Sequence, residues 1–290
     1  RLREKRKAKQ EARKPAEANS ATETRAEVSP FELPAPRTRL ITPFRGILAG
    51  IILIVGLTGY GILNSRKMEQ ASDALKAATQ TGNQMLEQED LIAANDAYQE
   101  AFQALTVLGR TDPAANEIRQ TSRELLAMNT QAVSPLFEIA EEAVVQIKQS
   151  GVDSWKTLFE VRYADTWIIF EATLLPVESL EETEQSRYRL NLPVLLDEYT
   201  LYLELTEPAF EEYLESHQGQ PVIFAAQIVD FQQDASRPDT GIIELNGETA
   251  FLWSHLKLYK LLGIEFDEFQ NREQIEKLLN QQSRFLGLTE

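Results

Sequence analysis

Two histidines and a large surplus of carboxylates are the groups from which this chain would build an active site. His217 and His255 are its only imidazoles, and cysteine is absent. A side-chain nucleophile needs a base within hydrogen-bond reach. No Gly-x-Ser-x-Gly turn is present, and neither histidine stands in a recognisable catalytic frame. His217 follows an expected helix beside Gly219, where an imidazole caps the last carbonyls. His255 follows Trp253 in an apolar run and reads as a packed residue. The carboxylates cluster at Glu178, Glu181, Glu182 and Glu184, and again at Glu211, Glu212 and Glu215. Two such groups across a cleft would suit a cell-wall glycan or peptide hydrolase, which is the alternative reading. Clusters on a loop and on one helix are more often solvated faces, so no catalytic residue is assigned. Two isolated histidines without an Asp-x-Asp-x-Asp-Gly loop make no metal set, and no Gly-x-x-x-x-Gly-Lys phosphate cradle occurs. No metal and no cofactor are expected.

Charge separates the chain into two parts. Residues 1–45 carry twelve Lys/Arg against six Asp/Glu, a net of +6, whereas residues 66–290 carry seventeen against thirty-nine, a net of −22. Residues 151–290 alone hold ten against twenty-six. Phosphate neutralisation supplies most non-specific affinity for nucleic acid, so nucleic acid is not an expected partner.

Between the two parts lies GILAGIILIVGLTGYGILN, Gly46–Asn64, nineteen residues without a charge, flanked by Arg45 and by Arg66 and Lys67. At about 1.5 Å rise per residue this length just crosses a hydrocarbon core of about 30 Å. The segment 45–65 is therefore expected to be a transmembrane signal anchor, with Gly46, Ile51, Ile54, Gly59 and Asn64 along the span. Gly46 and Gly50 have the spacing for a helix–helix contact that would pair copies into a homo-oligomer. Flanking cations orient such a span with the N-terminus inside. The expectation is a single-pass protein of the plasma (inner) membrane with a cytoplasmic N-terminus and a periplasmic bulk. Its partners would be the lipid bilayer and envelope proteins. Residues 1–44, rich in Lys, Arg, Glu and Pro and poor in large apolar residues, read as a disordered basic cytoplasmic tail. The chain opens on Arg1 rather than Met, so its true start is expected to be missing or processed.

Residues 66–150 read as a helical stalk or bundle. Met68–Gln88 and Asp90–Leu108 form an expected antiparallel pair, with Gly82, Leu91, Ala94, Tyr98 and Ala101 as small and aromatic contacts. Over residues 75–108 this hairpin resembles one tetratricopeptide repeat, with Ala78 where the repeat has a large aromatic. Asp112-Pro113 and Ser134-Pro135 start two more helices. Residues 151–290 form an acidic α+β domain. Strands are expected at Trp167–Leu175, Tyr188–Leu192, Tyr199–Leu205, Val222–Phe231 and Gly241–Leu245, and a short helix near Pro208. Asn246-Gly247 signals a hairpin returning through Phe251–Ser254. Leu256–Leu262 fits strand or helix, and Arg272–Leu286 a final helix. The order of three strands, helix, two strands is similar to the small barrel of the oligonucleotide/oligosaccharide-binding (OB) fold.

The function expected is therefore a membrane-anchored binding or scaffold protein that engages protein partners through its helical and barrel-like regions. Tyr98, Phe102, Trp167 and Trp253 are the candidate contact residues.

Overall fold

Local signals set the ends of the helices. In the computed structural model, backbone is described for residues 43–132, 134–177, 186–191, 193–196, 199–234, 236–263 and 270–288. Side chains are described within these from Leu63 onward, Gln270 and Asn271 excepted. Helix α1 runs from Pro43 to Glu87, α2 from Leu91 to Leu108 and α3 from Pro113 to Asn129. Asp90 caps α2 by accepting from the Ala93 N–H, and Gly109 ends it in the left-handed region. Asp112 caps α3 through the Ala115 N–H, with Pro113 at its first position. Leu75, Ala78, Ala101, Ala104, Leu105 and Ala115 form the seam joining these three helices.

The transmembrane expectation is corrected here: among the described residues no helix is long and apolar enough to cross a membrane. The apolar stretch is not a free-standing element. It belongs to the 45-residue α1, whose part from Leu63 onward exposes Arg66, Lys67, Glu69, Asp73 and Lys76 while burying Leu75, Ala78 and Leu86. Those charges and that packed face make this part of α1 a member of a helical bundle. The side chains of Gly46, Gly50, Ile51, Ile54 and Gly59 lie outside the described ones, and Asn64 is exposed. The single-pass anchor, the inner-membrane location and the cytoplasmic–periplasmic division are withdrawn with the span. The basic tail over residues 1–42 lies outside the described residues.

At Gly82 the helices meet closely. A Cβ built there would lie 2.6 Å from a ring carbon of Tyr98, whose hydroxyl donates to Asn83 Oδ1 at 2.8 Å. The ring is held at both ends and has little room to yield. Alanine would gain about 1 kcal/mol of helix propensity. Crowding in a packed seam costs about 1–3 kcal/mol. Gly82→Ala is expected to be destabilising by about 1 kcal/mol net, read as a lowered melting temperature; a raised one would contradict this contact.

Helices α4 (Leu136–Ser150) and α5 (Val152–Tyr163) precede the strands. Strands β1 (Trp167–Pro176), β2 (Arg187–Leu190), β4 (Tyr199–Thr206), β6 (Thr240–Asn246) and β5 (Pro221–Gln233) close into a five-strand barrel in that order. Every neighbouring pair in the ring is antiparallel except β4 and β6, which run parallel with Leu203 opposite Ile243. The short β3 (Val194–Leu196) pairs with β4, and β7 (Phe251–Leu252) with β5. Helix α6 (Glu211–Ser216) joins β4 to β5, while α7 (Leu256–Leu261) and α8 (Gln270–Phe285) end the chain.

The alternation of β4 sends Tyr199, Leu201, Leu203 and Leu205 inward, where they meet Phe224, Phe231, Ile243 and Leu245. Phe210, just before α6, contacts Phe224 near the start of β5. Trp155 and Phe159 of α5 contact Phe231, seven residues further along. At about 3.3 Å per residue these contacts are about 23 Å apart, so α6 and α5 close opposite ends of the barrel.

β5 is buried on both faces. Val222, Phe224, Ala226 and Ile228 face the barrel interior, whereas Ile223 and Ala225 face a second core with Leu125, Trp253, Leu258 and Leu279. The helices α3, α7 and α8 thus cover the β1–β5 side of the barrel. This double burial explains the unbroken apolar run of β5.

Candidate functional site

Where the helices meet the barrel, the histidine with most chemical promise has two carboxylate neighbours. Glu124 of α3 is fully buried. It accepts from Gln120 Nε2 at 2.8 Å, from the Ser254 N–H at 2.7 Å, from Ser254 Oγ at 2.8 Å and from His255 Nδ1 at 2.8 Å. Two helical turns earlier, Glu117 Oε1 lies 2.7 Å from His255 Nε2. Both ring nitrogens therefore face acceptors, which calls for the doubly protonated ring. Burial opposes that charge, but the field and hydrogen bonds of Glu124 and Glu117 outweigh it and lift the His255 pKa to about 10. A ring that stays protonated near neutral pH is no general base. Gln120 Nε2 also donates to the Leu252 carbonyl at 2.7 Å. The cluster is an ion-paired clamp that fixes residues 252–255 to α3.

The other acid–base candidates separate likewise. His217 donates from Nδ1 to the Tyr213 carbonyl at 2.9 Å and stacks on the Tyr213 ring, closing the end of α6. Glu211, Glu212 and Glu215 share that one short helix rather than facing one another across a cleft. Burial, together with Glu211 and Glu215, pushes the Tyr188 phenol up to about 12. Glu178, Glu181, Glu182 and Glu184 lie outside the described residues. No group of three or more His, Cys, Asp or Glu side chains among the described residues is placed to hold a metal ion.

Tyr98, Trp167 and Trp253 are buried and Phe102 is half-buried. Trp253 and Trp167 each pack on Phe251 in the core beneath the helical layer, and the Trp253 indole donates to the His255 carbonyl at 3.2 Å. Of the four contact candidates, the structure brings these two tryptophans together through Phe251.

Two open surfaces lie away from this clamp. The first is a groove of about 590 Å³ between α1 and the start of α3. Leu75, Ala114 and Ile118 line it together with Thr79, Gln80, Asn83 and Gln84, and Lys76 and Arg110 are its cations. Arg110 is held by Asp112 at 2.8 Å, while Lys76 has no ion pair among the described residues. Three amide side chains offer donors and acceptors along one wall, the pattern that an extended polypeptide backbone matches. Sequence reading misses this site because its residues on α1 are completed by residues about 30 positions later, at the start of α3. The spacing of Lys76, Gln80, Asn83 and Glu87 on one helical face is the available signal.

The second is the outer face of β2, β4 and β6. Arg189 lies over the Tyr202 ring, 4.3 Å from its centroid, and its Nε donates to Glu204 at 2.9 Å. Glu204 is opposite Glu244 on β6, which accepts from Gln232 at 3.0 Å. Arg189 and Glu204 are already paired with each other, whereas Glu244 has no ion pair among the described residues.

Comparison with protein-family models, with curated proteins and with solved structures finds no match to this chain.

Proposed function

We propose that this chain is a non-catalytic binding protein whose helical groove receives an extended segment of a partner polypeptide. The observation that carries the reading is the 590 Å³ groove with an apolar floor and a wall of Gln80, Asn83 and Gln84. Helix grooves recognise peptides without any reactive group. The tight Gly82–Tyr98 contact supports a tetratricopeptide-like character for the hairpin that forms one side of it. The ring order, the single parallel pair β4–β6 and the helix before β5 support an OB-like barrel as the platform behind it. The acidity of residues 151–290 argues for protein rather than nucleic acid as partner.

A photo-crosslinking amino acid at Gln80, on the groove wall, is expected to capture one discrete partner in the native cell. The same group at Val107, exposed on α2 outside the groove, should capture none. Adding Ala114→Trp, which fills the groove, should abolish the Gln80 product. Equal capture at both positions, or at neither, sinks the reading.

A further inference from the structure

A second groove runs along the outer side of α4, and its chemistry specifies a different occupant. Two adjoining hollows of about 570 and 280 Å³ share Val144 and Leu196 and together form a channel along α4 beside the end of β3. Glu138, Glu141 and Glu142 line one end, and Tyr199 and Lys148 the other. From Glu138 to Lys148 the helix rises about 15 Å, enough for four or five extended residues.

The two ends differ in charge, with three glutamates at one and Lys148 at the other. Glu142 is engaged by Arg162 and by the Tyr163 hydroxyl at 2.6 Å. Glu138 and Glu141 are exposed and have no cation beside them among the described residues. Like charges three residues apart on a helix repel. In the middle, Val145 and Leu195 are 48% and 68% exposed, so apolar surface continues outside the channel. At the far end Ile147, Lys148 and Pro238 continue the wall, whereas the Tyr199 hydroxyl points into the barrel beside Gly241 and Phe231.

We infer that this channel is a docking site for a short peptide segment of a partner protein, with two basic residues followed by aliphatic ones. Its cations pair with Glu138 and Glu141, and its aliphatic side chains cover Val144, Val145 and Leu196. Charge complementarity selects this occupant, because an acidic or neutral segment would leave the carboxylate end unpaired. The site shares no residue with the α1–α3 groove and does not rest on it.

The test is fluorescence anisotropy on the full chain with the labelled peptide Lys-Lys-Leu-Ala-Leu-Leu. Two control peptides replace the lysines by glutamate or the leucines by serine. Saturable binding of the first peptide is expected, weakening as salt rises. Each control peptide should bind at least about tenfold more weakly. Glu138→Lys with Glu141→Lys should weaken binding of the first peptide by at least about tenfold. Val145→Asp, a single exposed change, should do the same if the double variant fails to fold, and Ala114→Trp should change nothing. No saturable binding to the wild-type chain, equal binding of a control peptide, or full binding by folded Glu138→Lys/Glu141→Lys or Val145→Asp chains overturns the inference.

Discussion

Glu124→Ala is expected to lower the melting temperature by roughly 10 °C. Glu124 is fully buried and accepts four close hydrogen bonds, among them those of the protonated His255 ring and the Ser254 backbone. Removing one partner of a buried charged pair costs about 3–5 kcal/mol, because the other is left without compensation. In a chain of this size each kcal/mol shifts melting by about 2–4 °C. The same clamp has a pH signature. The His255 pKa is raised from 6.5 to about 10 in the folded chain, where Glu117 and Glu124 face it from α3. Its stabilisation is therefore complete below about pH 6.5 and is lost as pH rises through about 10. The loss is on the order of 5 kcal/mol. Glu124→Gln should keep much of the fold and flatten that slope. Denaturant unfolding of both chains at several pH values checks this, and identical slopes would contradict the ion-paired clamp.

Gly247→Ala is expected to cost about 3 kcal/mol, or roughly 6–12 °C in melting temperature. A Cβ at this position would lie 1.8 Å from the Thr206 carbonyl oxygen and 2.8 Å from backbone atoms of Glu207. These are main-chain atoms at the end of β4, where the Ala209 N–H also bonds to the Gly247 carbonyl at 3.1 Å. No side-chain rotation relieves the clash, so β4 and the turn must separate. The neighbouring exposed Glu248→Ala should change stability by under about 0.5 kcal/mol. Thermal melts of the two variants side by side check the contrast, and equal effects would refute the close approach.

The Asn246-Gly247 pair also shows how local signals and tertiary pairing diverge. As a hairpin signal it sends the following strand back along β6, yet Phe251 and Leu252 pair with Ala225 and Phe224 of β5. Asn246 Oδ1 instead accepts from the Thr249 N–H within a four-residue turn. Glycine serves there to let one backbone pass another. Helix α5 is masked in the sequence because Gly151 reads as a break, although Trp155, Phe159 and Tyr163 recur every four residues. That stripe is a legible signal; its purpose, closing a barrel end against Phe231, is not.

Composition and spacing by themselves determined the cap at Asp112, the Gly82–Tyr98 approach, the main strands, and the C-terminal cap by His217. Each depends on groups within a few residues, or on one period of a helix or strand, which sequence displays directly. Only the tertiary structure decided that a nineteen-residue apolar run belongs to a 45-residue helix whose described part packs in a bundle. It alone brought His255 between Glu117 and Glu124, more than 130 positions away. The reason is that a buried charge is set by what the folded chain carries to it. Charge, pairing and shape at that distance depend on the whole packing, and residue order along the chain does not encode them locally.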